Sequence, residues 1–240
     1  MLYLALFIGL VLIVITTKLN KSLKLSNIWM LLGQIGASLV IIMVGKLDIS
    51  IIHYPIYGNL IELGYLTIPI SLLFLISFTN VMNMEKEQNS LILLLPCVSL
   101  VCLSISASNM GYSFVSIMGI CASLMIMFVL LYGYFSGKVF VGRTLTSSIG
   151  YIIAVLSLSL LKTSIVTIYI PIFTLALPFA LYYLIHNKFT SVQSITISSL
   201  TAIFFSVLMF VVPINILWFL VVGLTGILVI MQFSRKYRFI

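Results

Sequence analysis

The sequence predicts an all-α polytopic membrane protein with about nine transmembrane helices, its N-terminus outside and its C-terminus cytoplasmic. Three observations carry this. Of 240 residues, 62% are hydrophobic and 7% charged, whereas a soluble domain carries roughly a quarter of its residues as charges. The mean hydropathy is +1.32. Apolar runs recur along the whole chain, each near the roughly 20 residues that a helix needs to cross a bilayer core. Finally, the basic residues gather on one side of those runs.

The runs cover about 2–17, 28–45, 66–82, 91–106, 112–132, 146–161, 165–185, 195–212 and 214–233, bounded by polar or turn residues. Several are short for a perpendicular crossing, so their ends should extend into the flanking polar residues. With the N-terminus outside, Lys18, Lys21, Lys24, Lys86, Lys138, Arg143, Lys188, Arg235, Lys236 and Arg238 fall inside, against Lys46 and Lys162 outside. Ten against two is a strong positive-inside bias, and merging or splitting one run would scramble it. The first run has no basic residue before it, unlike a secretory leader, and is expected to stay as a helix. The outer loop 46–65 contains His53, Pro55, Gly58 and Glu62, and its alternation near 47–57 suggests a short strand or hairpin. Without a repeat or a long linker, residues 1–240 form a single integral membrane helical domain in a multi-pass cell-membrane protein.

The net charge of +8 comes from scattered residues rather than a basic stripe with aromatics between them. Topology and anionic headgroups account for it, and no nucleic acid is expected. Cys97, Cys102 and Cys121 lie within apolar runs at spacings that match no zinc or redox motif. The acids are Asp48, Glu62, Glu85 and Glu87, none of them inside a run. That argues against a carboxylate relay through the bundle. Asn80 and Asn83 sit three apart at the end of the third run, on one helical face. Lys138 and Arg143 either hold a phosphate or anchor the chain to lipid headgroups, and composition alone leaves both open.

The segments Leu25-Ser26, Leu31-Leu32-Gly33-Gln34, Glu62-Leu-Gly64-Tyr-Leu-Thr-Ile-Pro69-Ile70, Thr79-Asn80-Val-Met-Asn83-Met84, Lys138-Val-Phe140-Val-Gly142-Arg143-Thr144 and Gly150-Tyr-Ile-Ile-Ala154-Val-Leu156-Ser157 follow a known order and spacing. Over about residues 1–190 the chain resembles the polyprenyl-phosphate N-acetylhexosamine-1-phosphate transferases, the glycosyltransferase family 4 enzymes that initiate teichoic acid and O-antigen synthesis. The resemblance implies a cytoplasmic site where magnesium and several aspartates position a nucleotide sugar for attack by a lipid phosphate. The family's acidic positions are occupied here by Asn20, Lys21, Lys86, Asn89 and Arg143, while its Asn-x-x-Asn survives as Asn80 and Asn83. Its histidine-rich loop corresponds only to His186-Asn187-Lys188, and its N-terminal helices have no counterpart here.

The resemblance therefore implies a truncated relative that keeps the scaffold and lacks the catalytic aspartates. Magnesium beside a sugar diphosphate is held by carboxylates and phosphate oxygens. Only Glu85 and Glu87 could supply carboxylates, next to Lys86. The expected function is a non-catalytic lipid-phosphate-binding or partner subunit in cell-envelope glycopolymer synthesis, with Asn80, Asn83, Lys138, Arg143, Lys86 and Lys21 as ligand-binding candidates. Its expected partners are polyprenyl phosphate or diphosphate and a membrane protein or second copy. No cofactor is expected, and Mg²⁺ enters only if the chain is an enzyme. An active transferase with an altered metal site at Glu85 and Glu87, or a small transporter component, are the alternatives.

Overall fold

A computed structural model describes residues 1–23, 26–53, 60–82, 86–87, 89–137, 141–161, 169–186, 188–213, 216–217 and 219–227. Its helices are α1 (Leu2–Leu23), α2 (Asn27–Met43), α3 (Thr67–Val81), α4 (Leu94–Asn109), α5 (Ser113–Ser136), α6 (Arg143–Leu161), α7 (Tyr169–Pro171), α8 (Leu177–Ile185) and α9 (Ser191–Val211). A π-helical turn, Ile172–Ala176, joins α7 to α8 into one apolar rod. Among the described residues, six helical stretches are long and apolar enough to cross a membrane, and Asn27–Met43 and Tyr169–Ile185 are shorter apolar helices. The chain is an all-α, multi-pass membrane protein. Of the last expected run, 214–233, the described residues 216–217 and 219–227 are helical, and the rest lies outside the described residues.

The first polar segment differs from the expected loop. Residues 18–23 are the last turns of α1 rather than a connection. A cation such as Lys21 in a final turn is favoured by the partial negative charge of the exposed carbonyls, so the helix runs on past its apolar stretch. The hairpin expected near residues 47–57 is present: β1 (Ile51–His53) pairs antiparallel with β2 (Leu60–Glu62), with Ile52 opposite Ile61. The Ile49 N–H donates to Ser71 Oγ at 2.8 Å, fastening this loop to the start of α3. Residues 54–59 of the hairpin lie outside the described residues.

α6 is the axis of the bundle. Fourteen of its nineteen residues are buried. Ile149, Ile153, Leu156 and Leu160 pack into a core with Leu95, Leu103, Ile126 and Ala202 from α4, α5 and α9. Tyr151, Ala154, Val155 and Leu158 pack into a second core with Leu6, Ile13, Ile41 and Leu75 from α1, α2 and α3. Lipid tails are as apolar as leucine, so helices in a bilayer associate through close packing and hydrogen bonds. Both occur here. A Cβ on Gly150 would stand 2.8 Å from Thr79 O and 2.9 Å from Phe78 O, so the glycine lets α3 and α6 touch backbone to backbone. Tyr151 fills the space beside Gly9 of α1, and its hydroxyl donates to Ala37 O of α2 at 3.0 Å.

At one end of the bundle, Tyr3 of α1 meets Phe114 of α5 edge-on, with ring centroids 4.7 Å apart. The other end gathers the C-termini of α1 and α3 and the N-termini of α2 and α6. There β3 (Lys86–Glu87) pairs antiparallel with β4 (Val141–Gly142), which clips the α3–α4 connection onto the start of α6.

Candidate functional site

At this clipped end a cleft of about 400 Å³ opens between the last turns of α1 and the first turn of α6. Thr17, Asn20 and Lys21 line it from α1, and Gly142, Arg143, Thr144 and Leu145 from β4 and α6. Positions 17, 20 and 21 share one helical face because they lie three and four residues apart. A Cβ on Gly142 would meet nothing within 4 Å, so the cleft wall is open there.

Three of the residues singled out in the sequence, Asn20, Lys21 and Arg143, meet in this cleft. Asn20 is 8% exposed, and its Nδ2 donates to Ser26 O at 2.9 Å, tying the end of α1 to the residue that precedes α2. Arg143 Nη1 donates to Asn27 Oδ1 at 3.1 Å, which fixes the guanidinium against the first residue of α2. Thr17 Oγ donates to Ile13 O at 2.7 Å, leaving its lone pairs to accept. Lys86 is brought close through its backbone, directly opposite Gly142 in the β3–β4 pair.

The other candidates are placed differently. Asn80 does not line the cleft. Its Oδ1 accepts from Gln34 Nε2 at 3.0 Å, and its Nδ2 donates to Gln34 Oε1 at 2.7 Å and to Ile76 O at 2.9 Å. Gln34 is 1% exposed, so this is a buried amide pair that joins α2 to α3. Asn89 accepts from the Leu91 N–H at 3.0 Å and caps the 3₁₀ turn Ser90–Leu93 that leads into α4. Asn83, Glu85 and Lys138 lie outside the described residues, and of Lys86 and Glu87 only the backbone is described. Sequence reasoning did not single out Thr17 and Asn27, and it met Gln34 and Thr144 only as members of the segments that carry the family resemblance. Thr17 could have been found from its position one turn before Asn20, on the same face.

The electrostatics of the cleft are unusual for a helix start. α6 has no acid in its first turn and begins with Arg143. The free N–H groups there already carry about half a positive charge, and a cation beside them adds to it. Lys21 contributes a further positive charge from the facing wall. Among the described residues, no three His, Cys, Asp or Glu side chains come together. The described lining supplies two hydroxyls, an amide and two cations, and the side chains of Glu85 and Glu87 lie outside the described residues.

Comparison with known proteins places this architecture. The family described as "Glycosyl transferase family 4" matches residues 3–161, well over half of the chain, from the second residue of α1 to the end of α6. A probable undecaprenyl-phosphate N-acetylglucosaminyl 1-phosphate transferase of Bacillus subtilis (strain 168) is 27% identical over 191 residues, covering 77% of this chain and 53% of that protein. The chain thus spans about half the length of the curated relative it matches. The matched stretch contains both walls of the cleft and the helix that divides the two cores, and the chain belongs to glycosyl transferase family 4.

Proposed function

We propose that this chain is a non-catalytic member of its family that holds the phosphate end of a polyprenyl lipid, as a binding or partner subunit in cell-envelope glycopolymer synthesis. The observation that carries the reading is the cleft itself. Asn20, Lys21 and Arg143 stand where the family resemblance calls for acids, and they line one cavity. A lysine and an arginine on opposite walls raise the local potential, which draws in a phosphate and opposes a divalent cation. Arginine adds a planar fork of donors suited to phosphate oxygens. No chemical step is assigned to the chain. Its residues bind and orient the anionic head, while the apolar surfaces of α1 and α2, such as Leu19, Leu23, Ile28 and Trp29, face the lipid.

In this reading the chain crosses the membrane nine times and the cleft end faces the cytoplasm, as the distribution of lysine and arginine requires. Single-cysteine labelling in a cysteine-free background reads that topology. Ser22→Cys should be protected from outside and Asn59→Cys labelled; the reverse pattern would invert the orientation.

The functional test supplies the isolated full chain with undecaprenyl phosphate, UDP-N-acetylglucosamine and magnesium or manganese, and measures release of UMP. None is expected above a protein-free control. Metal-dependent release, abolished by changing Glu85 and Glu87 to Gln, would replace this reading with that of an active transferase.

A further inference from the structure

The described lining of the cleft comes from α1, β4 and α6 and takes nothing from α2. Yet both walls are bonded to the start of α2. The α1 wall reaches it through Asn20 Nδ2, 2.9 Å from Ser26 O, and the α6 wall through Arg143 Nη1, 3.1 Å from Asn27 Oδ1. We propose that the start of α2 sets the gap between the two walls, with Asn27 a positioning residue for Arg143 and Asn20 for Lys21. The gap is a property of the fold, while its effect on a bound phosphate rests on the lipid-phosphate reading above.

The two acceptors are consecutive residues on a stretch that is itself fixed. Ser26 has the extended backbone of a helix N-cap, and its carbonyl also accepts from the Trp29 N–H at 3.1 Å. A carbonyl oxygen has two lone pairs, so the Asn20 amide and the new helix share it without competing. Further along α2, Gly33 leaves room for Thr16 of α1, and Gln34 is bonded to Asn80 of α3. Whatever is bonded to the start of α2 inherits that seat. Each wall needs one. Lys21 lies in the last turn of α1, whose final carbonyls lack helical donors and which would otherwise fray. The adjacent residue, Asn20, is buried and clamps that turn. Arg143 carries a long side chain with many rotamers, and the bond to Asn27 restricts its guanidinium. Arg143 and Asn20 each take part in a further interaction as well, so losing one bond should loosen a wall rather than release it.

The test uses the full chain in mild detergent and has two readouts. The gap is measured by pulsed electron paramagnetic resonance between nitroxides at Ser22→Cys and Thr144→Cys, with Cys97, Cys102 and Cys121 changed to Ala. Asn27→Ala and Asn20→Ala should each shift or broaden the distance distribution. The consequence is measured as retention of undecaprenyl phosphate over a concentration series by native mass spectrometry, with undecaprenol as the phosphate-free control. Asn27→Ala should weaken retention about threefold, near the lower end of what one hydrogen bond is worth. Added to Arg143→Met it should weaken retention no further, because a positioning residue acts only through the group it positions. A merely structural role would give the same loss in both backgrounds. That equal loss, or distances unchanged by both asparagine variants, would overturn the inference. If Arg143→Met does not fold, the distances decide it. Equal retention of undecaprenol and undecaprenyl phosphate by the unaltered chain would sink the lipid-phosphate reading, and the distances would again decide the role of α2. A clear preference for the phosphate lipid with unchanged distances would keep that reading and sink only this inference.

Discussion

Along α6 the same helix serves two environments. From Thr146 to Leu161 nearly every residue is buried, and Gly150 and Tyr151 meet α1, α2 and α3 at contact distance. In its first turn, Arg143, Thr144 and Leu145 line an open cleft, and that turn of the helix contains no acid of its own. The body of the helix is constrained by packing, where one methylene too many pushes neighbours apart. The first turn is held by the β3–β4 clip and the Arg143–Asn27 contact, and it also borders open space. In the reading proposed above, the family scaffold matched over residues 3–161 persists while the charge at its mouth differs.

The largest effect expected from this comparison is at Gly150. Leucine there would place its Cβ against the Thr79 and Phe78 carbonyl oxygens, at 2.8 and 2.9 Å, and backbone atoms cannot rotate away as a side chain can. Overpacking of this kind costs about 1–3 kcal/mol, and Gly150→Leu should lie at the upper end. Arg143→Gln, at the other end of the same helix, should shift the thermal midpoint of the detergent-solubilised protein far less. If the two variants melt alike, the contrast between body and first turn fails.

Next in size is the Gln34–Asn80 pair, which joins two helices of the body near the cleft end. Hydrogen bonds between membrane helices are worth about 0.6–2 kcal/mol, because the separated helices find other partners. A double-mutant cycle with Gln34→Leu and Asn80→Leu should give a coupling in that range. It should leave binding of a lipid phosphate nearly unchanged, since Asn80 does not line the cleft. A large loss of binding with no coupling in stability would move Asn80 from the body to the mouth.

These outcomes bear on what the sequence could reveal. The apolar runs follow from hydropathy alone, and eight of the nine coincide with described apolar helices. The hairpin near residue 50 was legible from alternation. That α1 extends into its polar flank was expected because its apolar run is short for a crossing, but not that it takes in nearly all of the segment from Lys18 to Leu23, since lysine and asparagine read as loop residues unless the charge preference of a helix end is considered. At the site, Asn20, Lys21 and Arg143 were legible as a group only through the family pattern, because 122 residues separate Lys21 from Arg143 and no local signal places them together. Asn80 shows the opposite limit. A polar residue at a helix end invites a ligand role, and only the coordinates show that Gln34, 46 positions earlier, satisfies its amide.

The smallest effect tests whether the positions that the family fills with acids can take an acid again. Asn89 caps the helical stretch Ser90–Asn109 through its Oδ1, 3.0 Å from the Leu91 nitrogen, with its own backbone extended. Asn89→Ala removes the acceptor and leaves a donor N–H without its partner. It should cost about 1 kcal/mol, the usual worth of a cap. Asn89→Asp keeps the acceptor and adds a negative charge at the positive end of that helix, which is favourable by about 0.3–1 kcal/mol. The aspartate should therefore be at least as stable as the native protein, measured by thermal melting in one detergent. That ordering, Asp at or above Asn and both above Ala, would mean that folding does not exclude an acid at this position. The needs of the scaffold would then not account for an asparagine in place of an acid. An aspartate less stable than alanine would show instead that the surrounding loops are already too negative to accept it, and that this position is set by packing and charge in the fold, as Gly150 is.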